Sequence, residues 1–192
     1  RSFIGCDRQP QRIEASFYGD LAQYAPFLEA PIVLGLSAEF DPTFDHQDAS
    51  AYLAEMGIEF ETRQVDQSKG YGEAITIDLI EGSGTKTERV SVRGTIAEGN
   101  PMVSRINDFD KLYFDPRGRS LLAVYEDCPG KLAAISAVVA KHKINIEDIR
   151  CPQDRHGRAI AVLKVDQPVP CDALAEIRSQ ADTENTVFLD LK

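Results

Sequence analysis

The sequence predicts an α+β fold, and three observations carry that expectation. From Leu121 onward the hydrophobic periodicities run strand, helix, strand, strand, helix, strand, the split-βαβ order. Upstream, one strand-like segment, two helical segments and several strand candidates follow one another. Hydrophobic residues make up 43% of the 192 residues, enough to bury a core, and the length has room for two small domains. The expected organisation is a tail or linker over residues 1–10, a first domain over 11–118 and a second over 119–192.

In the first domain, Arg12 to Tyr18 alternates, with Ile13, Ala15 and Phe17 on one face, and predicts a strand. Residues 25 to 40 carry apolar side chains at helical spacing (Phe27, Val33, Leu34, Leu36), interrupted by Pro26 and Pro31. Asp48 to Met56 predicts a short helix stopped by Gly57. Strands are expected over Ile58 to Val65, Ala74 to Ile80 and Thr87 to Ile96, the last two joined by a GSGTK turn, and over Met102 to Ile106. The segment NDFDKLYFDPRG reads as polar and irregular, and its Asp-Pro-Arg-Gly end as a turn marking the boundary near residue 118.

In the second domain, Leu121 to Tyr125 predicts a strand, and Pro129 to His142 a helix with Leu132, Ile135 and Val139 inward. Ile144 to Cys151 and Ala159 to Val165 predict strands joined by a QDRHG hairpin loop. Asp172 to Gln180 predicts a helix and Val187 to Leu191 a closing strand. Both helices should cover one face of a four-stranded antiparallel sheet, whose edges invite pairing with a second subunit.

A net charge of −10 argues against nucleic acid or an anionic membrane as the main partner. No apolar run approaches the roughly 20 residues of a membrane span, and no secretory leader is expected. The four cysteines (Cys6, Cys128, Cys151, Cys171) form no C-x-x-C and no zinc-type spacing, so reduced thiols in a cytoplasmic protein are expected. Gly70-Tyr71-Gly72 lacks the third glycine of a dinucleotide loop, and His46, His142 and His156 fall in no catalytic motif. No cofactor or metal is therefore expected in this chain. Its start at Arg1 rather than Met suggests a fragment or a processed product.

The segment LAVYEDCPGKL, Leu122 to Leu132, carries the most chemistry. A strand runs into a Pro-Gly turn and a helix starts at once. The unpaired N–H groups and dipole of that helix start favour an anion, and Asp127 beside it favours a cation. A site with both preferences a few ångström apart suits a zwitterion. Asp127 has a competing reading as the helix N-cap.

YEDCPGKL, the helix after it and the INIEDI strand at Ile144 to Ile149 resemble the ACT domain, a ferredoxin-like βαββαβ regulatory module of amino-acid metabolism. QRIEASFYGDLA, AEMGIEF and GTIAEGNPMVSRIND resemble the small α+β allosteric substrate-binding-type domain that precedes it in long D-3-phosphoglycerate dehydrogenases. The resemblance implies a regulatory region without the catalytic half, so NAD is expected only in that absent half. It implies an effector, L-serine or a similar amino acid, and control of the first step of serine biosynthesis. It also implies self-association through ACT sheet edges and coupling to the parent enzyme's catalytic domains. Two alternatives stand beside it. One is a regulatory subunit like the L-serine dehydratase beta chain, whose G-P-S-S-S-H-T-like start has no match in SFIGCDRQPQ. The other is a free-standing ACT regulator acting in trans.

The same resemblance implies effector contacts from Tyr125, Asp127, Pro129, Gly130, Lys131, Leu132, Asn145 and Ile146. Gly130, Lys131 and Leu132 would act through backbone N–H groups. Asn145, expected at the start of the second strand beside the turn, would offer its amide, unless it is an ordinary turn residue. Tyr125 is a ligand contact or a strand aromatic at an interface. Cys128 stands where the family commonly has Arg. Arg105, Lys111 and Arg117 form a candidate anion-binding group, set against the reading of solvated surface charge.

Overall fold

A computed structural model describes residues 10–36, 45–63, 70–82 and 87–191. The expected tail up to residue 9, the end of the first helix at 37–40, the strand end at 64–65 and the turn residues 83–86 lie outside them. The protein is α+β, and it divides into two compact units at Gly99/Asn100.

The first unit holds strands β1 (Arg12–Tyr18), β2 (Glu59–Arg63), β3 (Ala74–Glu81) and β4 (Glu88–Ala97), side by side as β2-β1-β3-β4. β1 and β2 run parallel, and parallel neighbours need a crossover. Helices α1 (Ala25–Leu36) and α2 (His46–Glu55) supply it, after a short 3-10 turn over Gly19–Tyr24. Pro31 lies inside α1 without ending it. α2 starts on a capping box: the Asp45 carboxylate accepts from the N–H groups of Gln47 and Asp48, and that of Asp48 accepts from the N–H of Asp45. Ile13, Leu79 and Val90 on the sheet meet Val33, Ala49 and Leu53 on the helices.

The other face of this sheet is polar and also buried. Glu14 and Asp78, directly opposed across β1 and β3, are 4% and 1% exposed. Arg89 reaches Asp78 at 2.6 Å, and Arg63 and Arg12 reach Glu14 at 3.0 and 3.3 Å. Buried carboxylates persist only when paired in this way. Asp78 holds the Arg89 guanidinium above its usual pKa.

The second unit contains a hairpin, β5 (Asn100–Ile106) and β6 (Phe109–Phe114), and a four-stranded antiparallel sheet. That sheet is built from β7 (Gly118–Glu126), β8 (Ile146–Arg150), β9 (Arg158–Val165) and β10 (Thr183–Leu191), in the order β10-β7-β9-β8. Helices α3 (Lys131–Lys141) and α4 (Cys171–Ala181) follow β7 and β9. Leu121, Ala123, Tyr125, Ala161 and Leu163 pack with Ile135, Val138 and Val139 of α3 and Ala173 and Ile177 of α4. Both helices therefore cover one face.

The opposite face is buried as well: Leu122, Val124, Ile160 and Val162 are all under a tenth exposed. Arg158 and Lys164 share that face. Arg158 lies 5.7 Å over the ring of Phe109, and Lys164 donates to the carbonyls of Asp115 and Arg117. These contacts place β6 and the segment after it against this face. The hairpin belongs to the second compact unit, although the sequence puts the boundary near residue 118.

β6 falls in the segment that reads as polar and irregular. Its buried residues are Phe109, Leu112 and Phe114, spaced three and then two apart. Lys111 and Tyr113 have φ of 63° and 43°, and the register shifts between Val103 and Arg105. Such a bulge breaks the period-two pattern by which a strand is recognised.

Candidate functional site

The end of β7, the turn after it and the start of α3 form one wall of an open cleft of about 440 Å³. Tyr125, Asp127, Cys128, Pro129, Gly130 and Leu132 line that wall, and Cys151, Gln153 and Ala159 line the other. The volume lies within the usual range for small-ligand sites.

Pro129 does not enter the helix as expected. α3 begins at Lys131, and its N-cap is Gly130, with φ of 92° and no side-chain cap. The competing reading of Asp127 as the cap therefore fails. The Asp127 carboxylate instead accepts a hydrogen bond from the Gln153 amide, and its backbone N–H donates to the Gly157 carbonyl at 2.8 Å. Without a side-chain cap, the N–H groups of Leu132 and Ala133 remain in the first turn, which an α-helix cannot satisfy itself. The N–H of Lys131, expected to face the ligand, is already bonded to the Cys128 carbonyl at 3.3 Å. Its ammonium lies 3.5 Å from Asp182, and Lys131 is not among the residues lining the cleft.

Tyr125 is buried and its hydroxyl lies 3.6 Å from the Cys151 sulfur. Burial first, then the contacts with Cys151 and the charge of Asp127, push its phenol well above the ordinary tyrosine range. Burial and Asp127 also raise the Cys151 thiol, against the Tyr125 hydrogen bond that lowers it. Both groups stay protonated at neutral pH, as neutral donors on the cleft wall. Cys128, Cys151 and Cys171 are free thiols.

Asn145 is not beside the turn. β8 pairs with β9 such that Ile146 lies opposite Val165, whereas Tyr125 lies opposite Ala159. Six residues of β9 separate the two levels, roughly 20 Å at strand rise. The backbone N–H of Asn145 donates to the Asp166 carboxylate at 2.9 Å, and its side chain is exposed. Ile146 packs against the helix-side core rather than the cleft. Within one chain, the strand that carries these two residues points the wrong end at Asp127.

The three cations expected to hold an anion stand in different settings. Arg117 forks onto the Asp115 carboxylate at 2.6–3.1 Å and holds it down to about 2. Lys111 is exposed on β6. Arg105 lines a second cavity of about 240 Å³ with Asn107, Asp108, Asp110, Arg155 and His156. Arg158 stands next to it, 2.7 Å from Asp154, 3.6 Å from Asp108 and 3.7 Å from Glu184.

Cys151, Gln153 and Ala159 are the cleft residues that sequence reasoning missed. The QDRHG loop was legible as a hairpin, but only the strand order β7-β9-β8 brings it across from the Pro-Gly turn. No helix among the described residues is long and apolar enough to cross a membrane.

Fold and cleft together define an α+β protein with a ligand-sized site at a strand–turn–helix junction. No protein-family model matches the chain. It is similar to a probable L-serine dehydratase beta chain of Bacillus subtilis, 29% identical over 181 residues, which span 92% of this chain and 79% of that protein. It is also similar to a D-3-phosphoglycerate dehydrogenase of Synechocystis, 23% identical over 184 residues, spanning 94% of this chain and 32% of that enzyme. Both matches are distant.

Proposed function

We propose that this chain is an amino-acid-binding regulatory region of a serine-metabolising enzyme, with L-serine as effector and an ACT domain as the binding module. The observation that carries the reading is the cleft itself, where the Asp127 carboxylate and the start of α3 stand together. An effector ammonium would meet Asp127 in a charge-assisted hydrogen bond of about 1.5–3 kcal/mol. Its carboxylate would meet the N–H groups of Leu132 and Ala133, favoured by the helix dipole. The neutral Tyr125 hydroxyl and the two thiols suit a small, uncharged polar side chain.

The position of Asn145 makes the bridging form of this reading specific. β8 is an edge strand, with Ile149 exposed on it. Antiparallel pairing of two β8 strands about Asp148 would bring Asn145 of one subunit beside Cys151 of the other. Asn145 would then complete the cleft across a two-fold interface. Serine would favour one arrangement of the assembly, a coupling of about 1–3 kcal/mol.

The parent enzyme of choice is D-3-phosphoglycerate dehydrogenase, with this chain as a regulatory region and NAD confined to the catalytic half. A second reading, a subunit like the L-serine dehydratase beta chain, is favoured by the higher identity of that match. The two share the effector cleft and differ in the partner. A free-standing regulator acting in trans would share it too.

Calorimetric titration with L-serine tests the common core. Saturable binding is expected, weakened about 10- to 100-fold by Asp127→Asn. Absence of heat at millimolar serine would refute the serine assignment, and a monomer by light scattering with serine bound would refute the bridging form. Purification of the native assembly separates the parents: dehydration of L-serine by the complex supports the dehydratase, and NAD-dependent oxidation of D-3-phosphoglycerate the dehydrogenase.

A further inference from the structure

The segment between β8 and β9 holds Asp127 from two sides. Gln153, joined to Ala159 by a single bridge, donates its side-chain amide to the Asp127 carboxylate. Four residues later, the Gly157 carbonyl accepts the Asp127 backbone N–H. Between these two points the segment is braced by Asp154, whose carboxylate accepts from the N–H groups of His156 and Arg158 and from the Arg158 guanidinium. Gln153 therefore puts a neutral N–H donor on the carboxylate to which an effector would bring a charged one. An ammonium adds to its hydrogen bond the attraction of opposite charges, which a neutral amide does not supply.

We infer that Gln153 is an internal occupant of the cleft, displaced from Asp127 when an amino-acid ammonium binds, and that its release transmits occupancy to the β8–β9 loop. The inference rests on the amino-acid reading of the cleft given above. The same loop supplies Arg155 and His156 to the second cavity, and Arg158, next in the chain, pairs with Asp108 at the β5–β6 turn. Occupancy at Asp127 thus has a short route, through the loop backbone and the Arg158–Asp108 ion pair, to the hairpin side of the unit. Gln153 is a regulatory residue here, not a ligand contact, and that distinction sets the sign of its mutational effect. A residue that contacts the ligand loses affinity when truncated. An occupant that must leave gains it.

The test uses the full chain with Gln153→Ala and Asp127→Asn. Hydrogen exchange without ligand should show residues 153–157 and the Asp127 amide exchanging faster in Gln153→Ala than in the wild type. Titration with L-serine should show Gln153→Ala binding about three- to tenfold tighter than the wild type. Adding serine to the wild type should reproduce the faster loop exchange. Weaker binding by Gln153→Ala would make Gln153 a ligand contact and overturn the inference, as would unchanged loop exchange. Faster exchange in the variant with no serine bound by either protein would keep the clamp but refute its displacement by an amino acid, and with it the effector reading.

Discussion

Gly130 lines the cleft in a backbone conformation that a single added methyl group disfavours. It caps α3 with φ of 92°, beyond the left-handed region of roughly +50° to +70° that L-residues occasionally occupy. A Cβ there would meet no atom within 4 Å, so Gly130→Ala introduces backbone strain and no clash. The left-handed conformation costs an L-residue about 1–2 kcal/mol, which corresponds to roughly a 5- to 30-fold rise in the population of opened states. The sequence contains no Trp, and the protein has two compact units, so a single global fluorescence transition is a poor readout. Hydrogen exchange of amides in α3 reads the right unit directly. Their exchange should accelerate about 5- to 30-fold in Gly130→Ala. Ala137→Gly, on the exposed side of the same helix, provides a control of about 1 kcal/mol through helix propensity alone. Gly130→Asn should fall between wild type and Gly130→Ala, because Asn tolerates positive φ better. Exchange in Gly130→Ala within twofold of the wild type would refute the assignment of a glycine-dependent turn. It would also remove the reason for the backbone geometry at the mouth of the cleft.

Two further outcomes follow from the ion pairs. Arg89→Ala leaves Asp78 buried without its closest cation, so thermal unfolding of the first unit should show a loss of about 2–4 kcal/mol, whereas Arg89→Lys should recover part of it. Asp115 is an acid with its folded pKa lowered to about 2 by the Arg117 hydrogen bonds. The stabilisation from that pair is complete above the unfolded carboxylate pKa of about 3.9 and is lost as pH falls through about 2. Carboxyl NMR should find Asp115 titrating at about 2, and Arg117→Ala should return it toward the ordinary aspartate value of about 3.9.

Much of the second unit was legible because its elements follow clean periods. α3 and α4 bury Ile135, Val139 and Ile177 at helical spacing, and β7 and β9 bury alternate residues against them. The first unit was legible in its strands, but their alternation carries no sign that Glu14 and Asp78 on the polar face are buried. Those two carboxylates are paired with the guanidinium groups of Arg63 and Arg89 on other strands, which no local pattern announces. The β5–β6 hairpin was hidden for a different reason. Positive φ at Lys111 and Tyr113 puts Phe109, Leu112 and Phe114 inward out of period, so an apolar strand reads as a polar loop.

The sequence by itself determined the strand–turn–helix at Leu122 to Leu132, because Pro, Gly and the apolar spacing act within a few residues. It located Asp127 at that junction and gave the order of elements around it. Tertiary structure decided what Asp127 does. Strand order β7-β9-β8 carries Gln153 and Cys151 across to it, and the same register sends Asn145 to the far end of the sheet. It also separated Arg117 from Arg105 by giving the first its own carboxylate. Local propensity is set by neighbours in the chain, whereas a site is assembled by strand pairing, and pairing partners here lie up to dozens of residues apart.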